Sequence, residues 1–433
     1  MTNQPPHPES DPHDDNAQQG DQSQQPPKQP ASLELGAAWL RSDGPHSDVV
    51  LSSRVRLARN LAGLPFVARA SKADRQRVLD MVRPVVLDAA PSLLPSSPSP
   101  SPTPSKQARE EQPAPASAAP QNSPSVMWVD LHAAPPLERS LLVERHLISK
   151  QHQKGKGTTP NDDPRAVAIG VPDERLSIMV NEEDHLRIQQ LHSGLALSEA
   201  WKHASMVDDA IEAGLDFAFS SRFGYLTACP TNVGTGVRMS VMLHLPGLRL
   251  TGEIDKVKRA AEGMNLAVRG FYGEGSEAVG DLFQISNQTT LGKSEPQILE
   301  ELERAIIPRV IEYERISRRE LLSKRRIALE DQIWRAWGCI ANARLLTTEE
   351  AMQALSILRM GIAIGLVKLS RKGLVEGSKP SPGVSEAMQL QLTNQLMLLA
   401  QPSHLQRAMG QELDQDQRRV VRAMMMRARL AKS

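Results

Sequence analysis

Between residues 91 and 125 the chain runs through alternating Ser-Pro pairs and then an Ala/Pro tract, with patterned sequence resuming on both sides. Such a stretch cannot bury enough apolar surface to offset the entropy of ordering it. It reads as a disordered insertion, and the folded domain around it must close across it. Residues 1–31, rich in Pro, Gln, Asp and His, read as a disordered tail on the same grounds. They carry no apolar core of a signal peptide. A shorter polar loop is expected at 150–164.

The rest of the 433 residues suffices for more than one domain. Ala70–Leu87 has helical spacing, with Val78, Met81, Val82 and Val85 inward and Pro84 kinking or ending the helix. Val126–Leu131 reads as a short strand, and 165–290 as a block of strands and Gly-rich turns. From Glu295 onward the pattern is helical, with Ile298, Leu302, Ile306 and Val310 on one face. Thr347 and Glu350 fit a capping box that opens a helix running through Leu366. A boundary near 318 divides the chain into the tail, a first domain at 32–318 holding the insertion, and a helical domain at 319–433.

Charge and composition exclude some functions. Lys and Arg number 51 against 50 Asp and Glu, and aromatics make up 3%. Neither a strongly basic nucleic-acid domain nor a base-stacking surface fits that balance. Cys229 and Cys339 are too few for a disulfide framework and suit a reducing cytosol. No apolar run reaches membrane-spanning length; the most apolar stretch, 355–369, is broken by Arg359 and Lys368.

Four segments carry chemistry. In Val49–Arg59, read as a strand, Ser52, Arg54 and Arg56 share one face while Leu51, Val55 and Leu57 share the other. That polar face is either solvated or met by an anion. In Leu176–Gln190, Leu186 and Ile188 point inward, and Asn181, Glu183, His185 and Arg187 lie opposite. A plain surface ion pair is the competing reading. In Phe223–Leu245, Cys229 ends a short strand before Pro-Thr-Asn-Val-Gly. Nearby arginines would favour its thiolate, though a lone cysteine is more often a small buried hydrophobe, the reading given to Cys339. The next strand buries Val237, Met239, Val241 and Leu243 and presents Arg238, Ser240, Met242 and His244. In Val268–Gly280, Arg269 ends a strand, and Gly270, Gly273 and Gly275 form a loop holding Glu274 and Glu277.

If these faces adjoin, Arg54, Arg56, Arg187, Arg238 and Arg269 make one pocket. Five guanidinium groups repel each other unless a polyanion joins them, and a nucleoside triphosphate with Mg²⁺ supplies that charge. Other nucleotide signatures fail. Gly155-Lys-Gly157 lacks the rest of a P-loop, and Gly234-Thr-Gly236 opens no dinucleotide fingerprint. No protein-kinase motif set and no His-Glu-x-x-His zinc motif occurs.

Ser-Ser-Arg-Val-Arg at 52–56, Asn-Glu-Glu-Asp-His-Leu-Arg at 181–187, Cys-Pro-Thr-Asn-Val-Gly-Thr at 229–235 and Arg-Gly-x-x-Gly-Glu at 269–274 resemble the ATP:guanido phosphotransferase family. The resemblance spans about 36–316 apart from the insertion, and it is nearest to the bacterial protein-arginine kinases. It implies an α+β fold, a mostly antiparallel sheet flanked by helices, followed by an α-helical C-terminal domain. It implies ATP and Mg²⁺, with no metal ligand from the protein, and transfer of the γ-phosphoryl group to arginine in proteins. Glu183 would act as base, with Glu274 and Cys229 gripping the guanidinium. ATP contacts would fall to Ser52, Ser53, Arg54, Val55, Arg56, His146, Arg187, Arg238, Met239, Ser240, Val241, Met242, Arg269, Gly270, Phe271, Tyr272, Gly273 and Glu274. His146, taken alone, reads as a surface residue.

Small-molecule guanidino kinases carry a helical lid domain before the catalytic one; here only the tail and Leu33–Ser47 precede Val49, which favours a protein acceptor. A small-molecule guanidino kinase and a non-catalytic phosphoarginine-binding adaptor are the alternatives. Glu183, Cys229 and Glu274 argue against the adaptor. The resemblance further implies protein substrates presenting arginine, stress regulators or proteolytic machinery as partners, neither nucleic acid nor membrane, and a homodimer through the C-terminal domain. Members often carry a phosphoarginine pocket on Arg-Asp-x-x-Arg-Ala. The counterpart here is Arg418-Arg-Val-Val-Arg-Ala423, with Arg418 and Arg422 in place and Arg419 at the acidic position. Either the pocket is altered or this is the basic face of the last helix.

Overall fold

The chain is organised around one sheet whose strands are buried on both faces along most of their length. The computed structural model describes residues 37–94, 124–155, 163–270, 279–370, 373–376 and 385–430. In chain order the first elements are β1 (Val50–Arg59), α1 (Lys72–Leu93), β2 (Ser125–Asp130), α2 (Pro136–Glu144), α3 (Lys150–Lys154), β3 (Ala166–Val171), β4 (Leu176–Val180), β5 (Leu186–Ser193) and α4 (Leu197–Glu212). Next come β6 (Phe219–Ser220), β7 (Gly224–Tyr225), β8 (Val237–His244), α5 (Pro246–Leu250), α6 (Ile254–Gly263), β9 (Leu266–Gly270), β10 (Leu282–Asn287) and α7 (Glu295–Leu299). After a π-helical stretch at Glu300–Ile306 follow α8 (Ile307–Lys324), α9 (Arg326–Asn342), α10 (Thr348–Ala363), β11 (Val367–Ser370), β12 (Gly373–Glu376), α11 (Glu386–Leu399), α12 (Pro402–Met409) and α13 (Gln415–Leu430).

Eight strands form one sheet in the order β2-β3-β4-β5-β1-β8-β10-β9, and every pairing in it is antiparallel. One face buries Val55, Leu57, Ile178, Ile188, Val237, Met239, Val241 and Ile285 against apolar side chains of α1, α4 and α8. The expected mostly antiparallel sheet flanked by helices, with a helical C-terminal part, is what the chain forms. A second apolar cluster joins α9, α10, α11 and α13 and reaches the sheet through Leu51, Met242 and Leu282. Helix α8 continues through residue 318 unbroken; its Val310 and Ile311 belong to the first cluster and its Leu321 to the second.

Several local expectations change. Helix α1 does not stop at Pro84: Val78, Leu79, Val82 and Val86 anchor it in the core while Pro84 sits on the exposed side. Met81 and Val85 are only partly buried. The helix extends to Leu93 and β2 starts at Ser125, so the insertion's two ends are structured; 95–123 lie outside the described residues, as do 1–36. The 150–164 loop begins as α3, capped by the Ser149 hydroxyl, with His152 buried; 156–162 are outside the described residues. A bulge between Val50 and Ser52 turns Leu51 away from Val55 and Leu57 into the C-terminal cluster. Thr347 and Glu350 do form the capping box of α10, which ends at Ala363. Cys339, expected buried, is exposed on α9. Among the described residues no helix is long and apolar enough to cross a membrane.

Candidate active site

Strands β5, β1 and β8 lie side by side, and the face turned away from the main core carries the arginines. Arg56 stands opposite Arg238 on one side of β1 and Gln189 on the other; Arg54 stands opposite Ser240 and Leu191. Like charges directly opposite in an antiparallel pair oppose folding. The surroundings confirm the strain. Burial and then Arg187, Arg238 and Arg269 push the Arg54 guanidinium down to about 9. Burial and the neighbouring arginines hold Arg56 well below its usual value. The Arg56 Nε is buried without a hydrogen-bond partner. Neutral dipoles give modest help: Arg54 donates to the Ser240 hydroxyl at 3.4 Å, and Arg238 to that of Ser286 at 3.4 Å.

These side chains line a cleft of about 740 Å³ with Arg187, Arg269, His146, Glu183 and Cys229. All five arginines expected to converge do so. Ser52, Ser240 and Met242 continue the floor into a small adjoining recess beside Trp39. Ser53, Val55, Met239 and Val241 do not belong to it by side chain. The last three are core residues, and Ser53 donates to the Gly194 carbonyl and accepts from the Ala196 amide on the opposite face. Alternation along a strand forces that division. His244 shares the arginine face but is sealed under the helices, bonded to Ser356 at 2.9 Å and Arg359 at 2.9 Å. Gly270 closes β9; Phe271, Tyr272, Gly273 and Glu274 lie outside the described residues.

His146 follows α2 with φ 61°, and its carbonyl accepts from Gln189 Nε2 at 2.7 Å. Its ring meets Trp39 edge-on at 5.3 Å. Burial, with Arg54 adding to it, lowers its pKa to about 3, so the imidazole is neutral. It is therefore a wall of the cleft rather than a surface residue.

The stretch Asn181–His185 is a turn between β4 and β5, so strand alternation does not govern it. Asn181, at φ 61°, donates to the carbonyls of Arg75 and Pro164. His185 is fully buried, accepting from the Leu61 amide and touching the Pro65 carbonyl. Neither joins Glu183 and Arg187. Instead Glu182, missed in the sequence, pairs with Arg187 at 2.6 Å. It also accepts from the Ser149 hydroxyl at 2.6 Å and the Glu183 amide at 3.0 Å. Although burial opposes ionisation, Arg187 and these donors hold Glu182 down to about 2. Burial likewise works against Arg187, but Glu182, Glu183 and Asp184 outweigh it and raise its pKa. Asp184 accepts from the Ala228 amide at 2.6 Å and Asn60 Nδ2 at 2.6 Å, tying the Glu183 turn to the residue before Cys229.

Cys229 precedes a single 3₁₀ turn, Pro230–Asn232, and its Sγ lies 3.1 Å from the Thr231 hydroxyl. The loop is held from behind. Thr290 donates to the Val233 carbonyl at 2.7 Å, and Arg59 donates to that of Thr235 at 3.0 Å. Gly236, at φ 67°, permits this: a Cβ would stand 2.6 Å from Arg59 and 2.7 Å from the Ala58 carbonyl.

Arg418 and Arg422 lie on α13, far along the chain from this cleft. Arg422 is buried and donates to the carbonyls of Ala400 and Leu346 at 2.7 Å each; Arg418 donates to that of Leu413 at 2.6 Å. Arg419 pairs on the surface with Asp416 at 3.1 Å. As they stand, these guanidinium groups staple chain segments together, and the reading of them as a phosphate receptor gains no support from their geometry.

Residues 115–317 match the family model of the ATP:guanido phosphotransferase C-terminal catalytic domain, and residues 326–377 and 382–433 that of the protein-arginine kinase McsB C-terminal domain. The chain is 44% identical over 397 residues to a protein-arginine kinase of Symbiobacterium thermophilum, covering 91% of this chain and 96% of that one. A protein-arginine kinase of Halothermothrix orenii is 40% identical over 395 residues, 90% and 96% of the two chains. One of Bacillus subtilis is 38% identical over 399 residues, 91% and 93%.

Proposed function

The chain belongs to the ATP:guanido phosphotransferase family and, within it, to the protein-arginine kinases, and from that premise we infer that its arginine-lined cleft transfers the γ-phosphoryl group of ATP to arginine side chains of proteins. The observation that carries this reading is the meeting, in one cleft, of five guanidinium groups with Glu183 and Cys229. A triphosphate relieves the mutual repulsion of Arg54, Arg56, Arg187, Arg238 and Arg269, and arginine matches phosphate oxygens two at a time. Mg²⁺ would arrive on the nucleotide.

The acceptor guanidinium stays protonated in water, with a pKa above about 12. Its nitrogen becomes a nucleophile only as a proton leaves. Two neighbouring carboxylates compete for that task, and their surroundings separate them. Glu182 is committed to Arg187, Ser149 and the Glu183 amide. Glu183 borders the cleft beside Cys229 and is the base. As the N–P bond forms and the bond between the γ-phosphorus and the bridging oxygen breaks, the proton passes to Glu183 and ADP leaves. By the family motif the Cys229 sulfur and the Glu274 carboxylate would grip the acceptor beside Glu183; no covalent cysteine intermediate is required. The arginines are positioned before charge develops in the transition state.

Incubation with ATP, Mg²⁺ and either casein or free arginine, read as acid-labile label, tests this assignment. Label is expected on casein. Glu183→Gln is expected to lose about two to three decades in turnover while ATP binding survives. Unchanged turnover in that variant refutes the base; label on free arginine alone refutes the protein acceptor.

A further inference from the structure

His146 enters the cleft wall from a turn that the backbone does not favour. It stands at φ 61°, in the left-handed region that a side chain makes costly. Such a conformation persists only where surrounding contacts impose it. Here they come from three directions. Gln189 of β5 donates to the His146 carbonyl at 2.7 Å. Trp39 meets the ring edge-on and is buried in one apolar cluster with Leu191 of β5 and Leu398 of α11. The third hold is on Glu144, the last residue of α2, two positions before His146.

Glu144 is buried and does not line the cleft. Its carboxylate serves α12 instead. That helix starts with Pro402, and its N-cap residue, Gln401, makes no side-chain cap. The amides of the first turn therefore need an acceptor from elsewhere. Glu144 supplies it with both oxygens. One accepts from the Ser403 amide at 2.9 Å, and the other from the His404 amide at 3.2 Å and His404 Nδ1 at 2.8 Å. A carboxylate is also the charge that the N-terminal end of a helix favours. His404 is 1% exposed, so water does not compete for this clasp. Next along the chain, Arg145 pairs with Glu174 at 2.8 Å and fixes the turn from its other flank. The His146 turn is thus gripped by the C-terminal helices at two points, through Leu398 behind Trp39 and through the α12 amides on Glu144.

We propose that Glu144 is a positioning residue for the nucleotide: by clasping α12 it fixes the end of α2 and holds the His146 turn in the shape that completes the cleft. The affinity for ATP then depends on the C-terminal helices. The inference rests on this cleft being the nucleotide's. Because Glu144 lies outside the cleft, its effect passes through His146 and falls on KM for ATP, while kcat and KM for the protein acceptor stay near their unaltered values.

Initial rates of casein phosphorylation at varied ATP, with Mg²⁺ and the full-length enzyme, test it across the unaltered protein, Glu144→Ala, His146→Ala and the two changes together. Glu144→Ala is expected to raise KM for ATP roughly tenfold, the scale of coupling through packed contacts, with kcat within about twofold. His146→Ala is expected to raise it at least as far. Adding Glu144→Ala to His146→Ala is expected to change nothing more, because the effect has no second route. Glu144→Gln keeps the volume and one acceptor oxygen, so a rise of about threefold is expected, and it takes the place of the alanine variant in the cycle if that variant does not fold. An unaltered KM for ATP in the Glu144 variants overturns the proposal. So do rises that multiply in the double variant, since those mark a general loosening of the fold. An unaltered KM for ATP in His146→Ala also overturns it, and label on casein in the same assay then shows that the kinase reading stands without it. Should the unaltered enzyme label no casein, the kinase reading itself falls and takes this inference with it.

Discussion

The molecule buries arginine in two opposite ways. Arg59 is enclosed behind the Cys229 loop with every reason to stay. It donates to both Asp208 carboxylate oxygens, the shortest contact at 2.6 Å, and to the carbonyls of Ala58 and Thr235, and it lies 3.5 Å above the Tyr225 ring. Arg318 pairs with Glu314, and Arg359 spreads its donors over Asn394, His244 and the carbonyls of Ser47 and Asp48. Only a few residues along the same strand, Arg54 and Arg56 have hydroxyl contacts or none and face other arginines. The first group holds the fold together. Under the proposed function the second is a receptor whose charge is balanced when the nucleotide arrives. Unsatisfied charge on a rigid strand marks the working site better than burial does.

That contrast breaks first at Arg59. Removing one partner of a buried pair leaves the other charge uncompensated, which costs about 3–5 kcal/mol. Arg59→Met is expected to lower the unfolding free energy, read from a urea titration, by that amount. Asp208 would then stand alone, in a place where burial already raises its pKa. Asp208→Leu added to Arg59→Met is expected to restore part of the stability, because no orphan charge remains. A single variant as stable as the unaltered protein removes the distinction drawn here.

The mirror experiment is Arg56→Met. Here the lost group is one that its neighbours repel. Stability without nucleotide is expected to hold or rise, while kcat/KM falls by about two to three decades, the scale of one transition-state contact, about 2.7–4 kcal/mol. A destabilised variant that keeps its activity would put Arg56 in the structural group.

Much of this division could be read from the sequence, and the failures have a common cause. Alternation on β1 and β8 placed Arg54, Arg56, Arg238 and Ser240 on one face correctly, because both strands are long and regular. The same rule failed at Asn181–His185, where the chain turns, and at Leu51, where a bulge shifts the register. The family resemblance, carried over as a whole motif, added Ser53, Val55, Met239 and Val241 to the expected nucleotide contacts, although only alternate side chains of a strand face one side. Trp39 and Ser149 gave no local signal. Both reach the cleft from other segments, and only the fold brings them to His146 and Glu182, whereas Gln189, two residues past Arg187 on the same strand face, was legible by alternation and overlooked. Cys339 was assigned by residue type alone, and its neighbours on α9 turned it outward.

The comparison is sharpened at Glu182, the residue that belongs to both groups, since it satisfies Arg187 inside the receptor. Its folded pKa of about 2 lies below the ordinary 4.5. A carboxylate so depressed contributes stability that is fully present above about pH 4.5 and is lost as pH falls through about 2, because the unfolded chain takes up the proton first. The contribution is on the order of 1–3 kcal/mol, shared with Arg187 and Ser149. Glu182→Gln is therefore expected to lower stability at neutral pH and to flatten the acid limb of a stability-against-pH curve between about 4.5 and 2. Arg56→Met should leave that limb in place, since the Glu182 to Arg187 pair survives it. If both variants flatten it equally, the acid sensitivity belongs to the cluster as a whole, and Glu182 is no hinge between the two kinds of buried arginine.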